Sequence, residues 1–245
     1  MSIPKVIHYC WFGGNPLPPL AQKCIASWKE YCPDYEIIEW NETNFDLNFN
    51  AYVQEAYQAQ KWAFITDVVR LYVLCHYGGI YMDMDVEVVR SFDELLTSSY
   101  ILGLETKKGV EAGIFGAEKN NPFIGKCMDY YKIRNFVSEN GKFDLRTLPN
   151  IMYEILIDNY EIANRTSIKI EEDAHKMQLF SPDYLTAKSC LTGELMITEN
   201  TYTIHHFAGS WISKSQKMKG KIYRFISSYR LLNYIYQRTY KKLKR

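Results

Sequence analysis

Between Lys61 and Val89 the hydrophobic rhythm of the chain changes twice, and each change predicts an element. Trp62 to Tyr77 contains no Gly or Pro and is apolar almost throughout, with Thr66, Asp67, Arg70 and His76 as its polar residues, which predicts a buried helix. Gly78-Gly79 follows, and glycine accepts the positive φ at which helices commonly end. Beyond it Ile80, Met82, Met84, Val86 and Val88 alternate with Tyr81, Asp83, Asp85 and Glu87, which is the period of a strand. Asp67 and Arg70, three residues apart, share a helix face. The alternation aims Asp83 and Asp85 in one direction from the end of an apolar strand.

The remaining patterns extend this unit on both sides. Ile3 to Phe12 reads as a first strand running into the turn Gly13-Gly14-Asn15-Pro16. Leu20 to Tyr31 has helical spacing and Pro33 ends it; Tyr35 to Trp40 reads as a second strand, and Ala51 to Gln60 as a helix leading into the central one. After the acidic strand come a short capped helix over Ser91 to Leu96, a strand over Tyr100 to Glu105, and the small-residue segment Gly113 to Ala117. Helices are expected over Pro122 to Phe136 and Leu148 to Asn159, and loops with short helices from Tyr160 to Leu195. The order predicts an α/β fold with a mainly parallel sheet flanked by helices.

Composition changes the picture at one end of the chain. The 245 residues suffice for a sizeable core, and a formal net charge of +1 conceals an asymmetry. Lys214 to Arg245 holds 11 Lys or Arg and no acidic residue, leaving 18 basic against 28 acidic residues in the rest. Ile222, Phe225, Ile226, Tyr229, Leu232, Tyr236, Tyr240 and Leu243 recur there at roughly helical spacing. This predicts a domain over 1–213 and a basic amphipathic helical tail over 214–245. Such a helix suits an anionic membrane surface, or docks on the domain with a solvated basic face. No nucleic-acid motif accompanies it, so nucleic acid is not an expected partner. The six scattered cysteines form no C-x-x-C pair, so neither a zinc knuckle nor a redox motif is suggested. No opening signal sequence is present and no run approaches the ~18 apolar residues needed to span a bilayer, so a cytoplasmic protein, peripheral to the inner membrane face through its tail, is expected.

Two neighbouring carboxylates repel, and burial raises the cost of ionising both. A divalent cation removes that conflict, and hard oxygen ligands suit Mg²⁺ or Mn²⁺, which recruit phosphate oxygens. A solvated polar strand face is the alternative for a D-x-D alone. No G-x-G-x-x-G and no G-x-x-x-x-G-K-[ST] occurs, so bound phosphates must be held by a metal and side chains.

Four blocks together resemble glycosyltransferase family 32, which includes bacterial capsular-polysaccharide transferases and yeast α-mannosyltransferases, with more distant similarity to clostridial glucosylating toxins. They are IPKVIHYCWFGG at 3–14, A-x-x-x-D-x-x-R at Ala63, Asp67 and Arg70, GGIYMDMDV at 78–86 and HHFAGSW at 205–211. The resemblance implies a GT-A type domain that moves a hexose, with retention, from a nucleotide-diphosphate sugar (UDP-sugar favoured) to a saccharide or lipid-linked saccharide acceptor. It implies Asp85 as the main metal ligand, Asp83 bridging metal, ribose or sugar, and His205 near the metal and diphosphate. Asp67 and Arg70 would bind ribose and sugar hydroxyls or steady the D-x-D; a buried ion pair bracing the helix is the alternative. Trp11 inherits base stacking, with a core role as its alternative, and Ser210 and Trp211 inherit a lid over the diphosphate. The family often has Asn just before the glycine of the segment passing the sugar. Here Ala112 stands there, preceded by Glu111, which becomes the acceptor-side candidate. Two other classes are compatible with parts of the pattern: a haloacid-dehalogenase-type phosphohydrolase, against which Glu87 stands where Thr or Val is wanted, and a non-catalytic nucleotide-sugar-binding subunit.

Overall fold

A computed structural model describes residues 2–106, 109–165, 173–190 and 192–209. The tail 214–245, Ser210 and Trp211 lie outside these residues. In the first half, β1 (Val6–Cys10), α1 (Pro19–Tyr31), β2 (Glu36–Trp40), α2 (Ala51–Gln58), α3 (Trp62–Tyr77), β3 (Gly79–Met82) and β4 (Val86–Val88) follow one another. After a 3-10 turn at Asp93–Leu95 come β5 (Tyr100–Ile101), β6 (Leu104–Thr106), β7 (Gly109–Val110) and β8 (Ile114–Ala117). The chain continues with α4 (Pro122–Lys132), α5 (Leu148–Asn159), β9 (Glu161–Arg165), β10 (Lys176–Phe180), α6 (Pro182–Leu185) and β11 (Thr203–His205).

The main sheet has the order β2-β1-β3-β8-β5. β1 is parallel to β2 and β3, whereas β8 is antiparallel to both β3 and β5, so four of the five strands run one way. Alternate residues of these short strands feed two apolar clusters. Ile7, Tyr9, Ile80, Met82 and Ile114 pack on one face with Trp28 of α1, and Tyr81, Phe115 and Ala117 pack on the other with α2, α3, α4 and α5. Both faces are therefore covered, as a sheet with parallel crossovers requires.

α3 is held by this burial rather than by a cap, since Lys61 makes no side-chain capping bond. Its end depends on two glycines. Gly78 has φ +71 and its N–H bonds Leu74 O at 3.0 Å, while Gly79 has φ +108 and a Cβ there would lie 2.6 Å from Val6 O. Glycine alone lets the chain leave the helix and enter β3 against β1.

The acidic strand differs from its expectation. β3 ends at Met82; Asp83 N donates to Gly113 O at 2.7 Å and Val86 N to Asp83 O at 3.0 Å, so Asp83, Met84 and Asp85 form a turn. β4 then leaves the main sheet and pairs antiparallel with β11, in register Thr203↔Val88, Ile204↔Glu87, His205↔Val86. The residues from 160 onward also hold more order than loops and short helices, because β9 and β10 form a parallel pair. All six cysteines are unpaired thiols. Among the described residues no helix is long and apolar enough to cross a membrane.

Candidate active site

The site forms at the carboxyl edge of β1 and β3, where ligands of α/β sheets gather. These strands are parallel in the register Ile7↔Ile80, His8↔Tyr81, so Trp11 and Asp83, each just past its strand, reach the same edge. The turn after β3 exposes the two carboxylates, and the β4–β11 pairing brings His205 to them across the length of the domain. Oxygen or nitrogen atoms of Asp83, Asp85 and His205 all lie within 4.8 Å of one another. The side chains of Asp83 and Asp85 keep 29% and 19% exposure, so the cluster opens to solvent on one side.

Each member is held separately. Asp83 Oδ1 accepts from Tyr81 Oη at 2.7 Å and lies 3.3 Å from Arg70 Nη2. The same Nη2 is 3.3 Å from Asp67 Oδ1, Nη1 donates to Ala112 O at 2.5 Å, and the guanidinium lies 4.6 Å from the centre of the Tyr81 ring. Asp85 Oδ2 accepts from Ala208 N at 2.7 Å, and its backbone O from His206 N at 2.9 Å. His205 Nε2 is 3.4 Å from Asp85 Oδ1 and its Nδ1 is 3.1 Å from Glu111 Oε1. His206 turns the other way, with Nε2 2.8 Å from Glu87, which Lys23 also pairs. Thus of the two adjacent histidines His205 joins the cluster and His206 faces the surface.

The electrostatics follow from burial and these partners. Burial raises the Asp83 carboxyl, the Asp85 charge adds to this, and Arg70 opposes it. Burial also acts on Asp85, but the His205 ring and the Ala208 N–H outweigh it and hold the carboxyl below its ordinary value. Burial pushes Asp67 up to about 7 against the pull of Arg70. Burial works against a charge on His205, yet Glu111 and Asp85 raise its pKa well above the ordinary imidazole value. A ring flanked by carboxylates on both nitrogens thus concentrates positive charge where the acidic pair would otherwise repel itself.

Glu111 is not placed for an acceptor. Its side chain is 1% exposed, and its oxygens accept from Gly113 N at 2.6 Å and Thr186 Oγ1 at 2.5 Å besides facing His205. Trp11 is half-buried, donates through Nε1 to Asn15 O and packs partly against the apolar cluster beneath it. The alternation placed Tyr81 on the acidic face but not its double contact with Arg70 and Asp83. Thr186 carried no signal, because its partner Glu111 lies 75 positions away.

Residues 18–102 match the family model described as the glycosyltransferase sugar-binding region containing a DXD motif. Over this region the chain resembles glycosyltransferase family 32. The chain is 30% identical over 131 residues to inositol phosphoceramide mannosyltransferase 3 of Schizosaccharomyces pombe, a match covering 50% of the chain and 35% of that protein. It is also 30% identical over 148 residues to mannosyl phosphorylinositol ceramide synthase CSH1 of Saccharomyces cerevisiae, covering 53% and 36%. The matched region thus spans about a third of these curated relatives. Among solved structures, PaToxG Glycosyltransferase superposes with a TM-score of 0.50 at 20% identity, covering 64% of this chain and 70% of that one. That likeness concerns the fold, and together with the sheet order it makes the fold GT-A-like α/β.

Two carboxylate oxygens and one imidazole nitrogen converging from a solvent-facing turn are a donor set that suits Mn²⁺ or Mg²⁺. The raised Asp83 carboxyl beside an ionised Asp85 is the conflict that such an ion relieves.

Proposed function

We propose that this chain transfers a hexose from a nucleotide-diphosphate sugar to a saccharide or lipid-linked saccharide acceptor, using Mn²⁺ or Mg²⁺ and retaining the anomeric configuration. The observation that carries the reading is the convergence of Asp83, Asp85 and His205 within 4.8 Å, with Arg70 against Asp83. Asp83, Asp85 and His205 would hold the ion. When bound, it supplies charge stabilisation to a departing diphosphate.

The chain's own residues do the rest. Tyr81 and Arg70 hold Asp83 from one side, so its carboxylate meets ligands in one orientation. Arg70 in turn is fixed by Asp67 and Ala112 O, and brings a permanent positive charge to the cluster. Trp11, at the same sheet edge, offers a half-exposed ring on which a nucleobase would stack. Ser210 and Trp211, outside the described residues, follow directly on the segment tied to Asp85 and would close over the donor. UDP-sugars are the favoured donors. The names of the two yeast relatives, both of mannosyl transfer to an inositol-phosphate ceramide, support mannose donors and a lipid-linked acceptor as first trials. The resemblance to capsular-polysaccharide transferases supports a role in bacterial surface-polysaccharide assembly on the cytoplasmic side of the membrane.

The test is a panel of UDP- and GDP-sugars incubated with the purified protein and Mn²⁺, with and without chelator, reading released nucleoside diphosphate. One donor should be turned over only with metal, and Asp85→Asn should lower that rate at least about 100-fold, the scale of losing one stabilising group at a transition state. Turnover that persists in chelator, or in Asp85→Asn, would remove the metal assignment.

A further inference from the structure

Glu111 is a buried carboxylate that sugar transfer as described does not use. Burying an ionised group is costly unless its oxygens are satisfied. Here Gly113 N and Thr186 Oγ1 donate to Oε1 and Oε2 at 2.6 and 2.5 Å, and His205 Nδ1 stands 3.1 Å from Oε1. The opposite nitrogen of that ring, Nε2, is the one that lies 3.4 Å from Asp85 Oδ1. The glycine serves a second purpose: a Cβ at 113 would come 2.4 Å from His205 Cε1 and 2.8 Å from Glu111 Oε1. Phe207 stacks on the ring at 4.0 Å between centroids, so the imidazole is confined by contacts at its edge and face.

An imidazole that donates from one nitrogen to a carboxylate, and loses the proton of the other to solvent as a cation binds, presents that second nitrogen as a lone pair in a fixed direction. We propose that Glu111, itself held by Thr186, is a positioning residue: it fixes the ring of His205, keeps the proton on Nδ1 and presents Nε2 to a divalent cation shared with Asp83 and Asp85. This rests on the divalent-cation reading of that cluster. The departure from the family pattern at 111–112 then has a use: Ala112 stands where the family often has Asn, and the carboxylate before it acts on the histidine.

The experiment strips wild type, Glu111→Gln, Thr186→Val and Gly113→Ala with chelator and titrates each with Mn²⁺, reading free Mn²⁺ by electron paramagnetic resonance. Thermal melting of the metal-free forms is measured alongside. Wild type should bind one Mn²⁺ saturably. Glu111→Gln and Gly113→Ala should each weaken binding about 10- to 100-fold, the range for partners one contact removed from a metal. Thr186→Val should weaken it too, with metal-free melting near that of wild type. Variants that melt earlier yet bind Mn²⁺ with wild-type affinity would overturn the proposal, because Glu111 would then serve only the fold. Should Glu111→Gln not fold, Thr186→Val decides, since it removes a single hydroxyl from the same network. No Mn²⁺ binding by wild type would remove the cation reading and this proposal together, whereas binding by wild type and variants alike removes this one only.

Discussion

Arg70 carries more commitments than any neighbour of the acidic pair. It touches Asp67, Asp83, Ala112 O and Thr66 O, and lies over the Tyr81 ring. Burial works against its charge, but Asp83, Tyr81 and Asp67 outweigh that and raise its pKa. Removing one partner of a buried ion pair strands the others, at a cost of about 3–5 kcal/mol. Arg70→Met should therefore destabilise the fold by roughly that amount in urea titrations, and a loss below about 1 kcal/mol would mean that solvent already neutralises the carboxylates. The pairing of Asp67 with Arg70 was legible from their spacing, whereas His205 was singled out only by resemblance. The partner of Arg70 at Ala112, 42 residues away, was not, because local periodicity holds no record of which loop lies opposite a helix face.

At the scale of elements, α3 and its glycine end were readable because a long apolar segment without breakers has one plausible form. The acidic segment misled for a definite reason. Met82 and Val86, four positions apart, keep the same phase on either side of the turn, so two strands in different sheets mimic one. The β9–β10 pair was unreadable because its pattern is mixed and its partner is a strand rather than a solvent face. Element pairing also creates a pH dependence. His8 of β1 is fully buried, its Nε2 2.9 Å from Gly78 O and its Nδ1 accepting from Trp40 Nε1 at 3.1 Å, which ties β1 to β2 and to the end of α3. Burial lowers its pKa from 6.5 to about 4. The folded value lies below the unfolded one, so the neutral ring's contribution is complete above pH 6.5 and is lost as pH falls towards 4, about 3 kcal/mol in all. Urea midpoints at pH 7 and pH 5 should thus diverge less in His8→Gln than in wild type. An equal divergence would show that His8 does not titrate with unfolding.

For the whole molecule, charge is divided between an acidic body and a basic tail. The 11 Lys or Arg beyond Ser213 face no acidic residue in their own segment. Each basic residue near an anionic leaflet contributes about 1 kcal/mol. Truncation after Ser213 should therefore release the protein from anionic liposomes while leaving donor hydrolysis in place. Equal sedimentation with liposomes by the full-length and truncated forms would discard the membrane role. The tail's basic, helical periodicity was plain in the sequence, but its contacts lie outside the described residues.

The bond from Ala208 N to Asp85 Oδ2 spans 123 positions of the chain. During synthesis Asp83 and Asp85 leave the ribosome long before their third companion exists, and a nascent chain ending ahead of β11 holds two adjacent carboxylates with no imidazole between them. Closing so long a loop is entropically costly, so the β4–β11 ladder belongs to the late steps of folding. A cation gripping both ends of that loop would act as a clasp on it, and chemical competence would begin only when β11 docks.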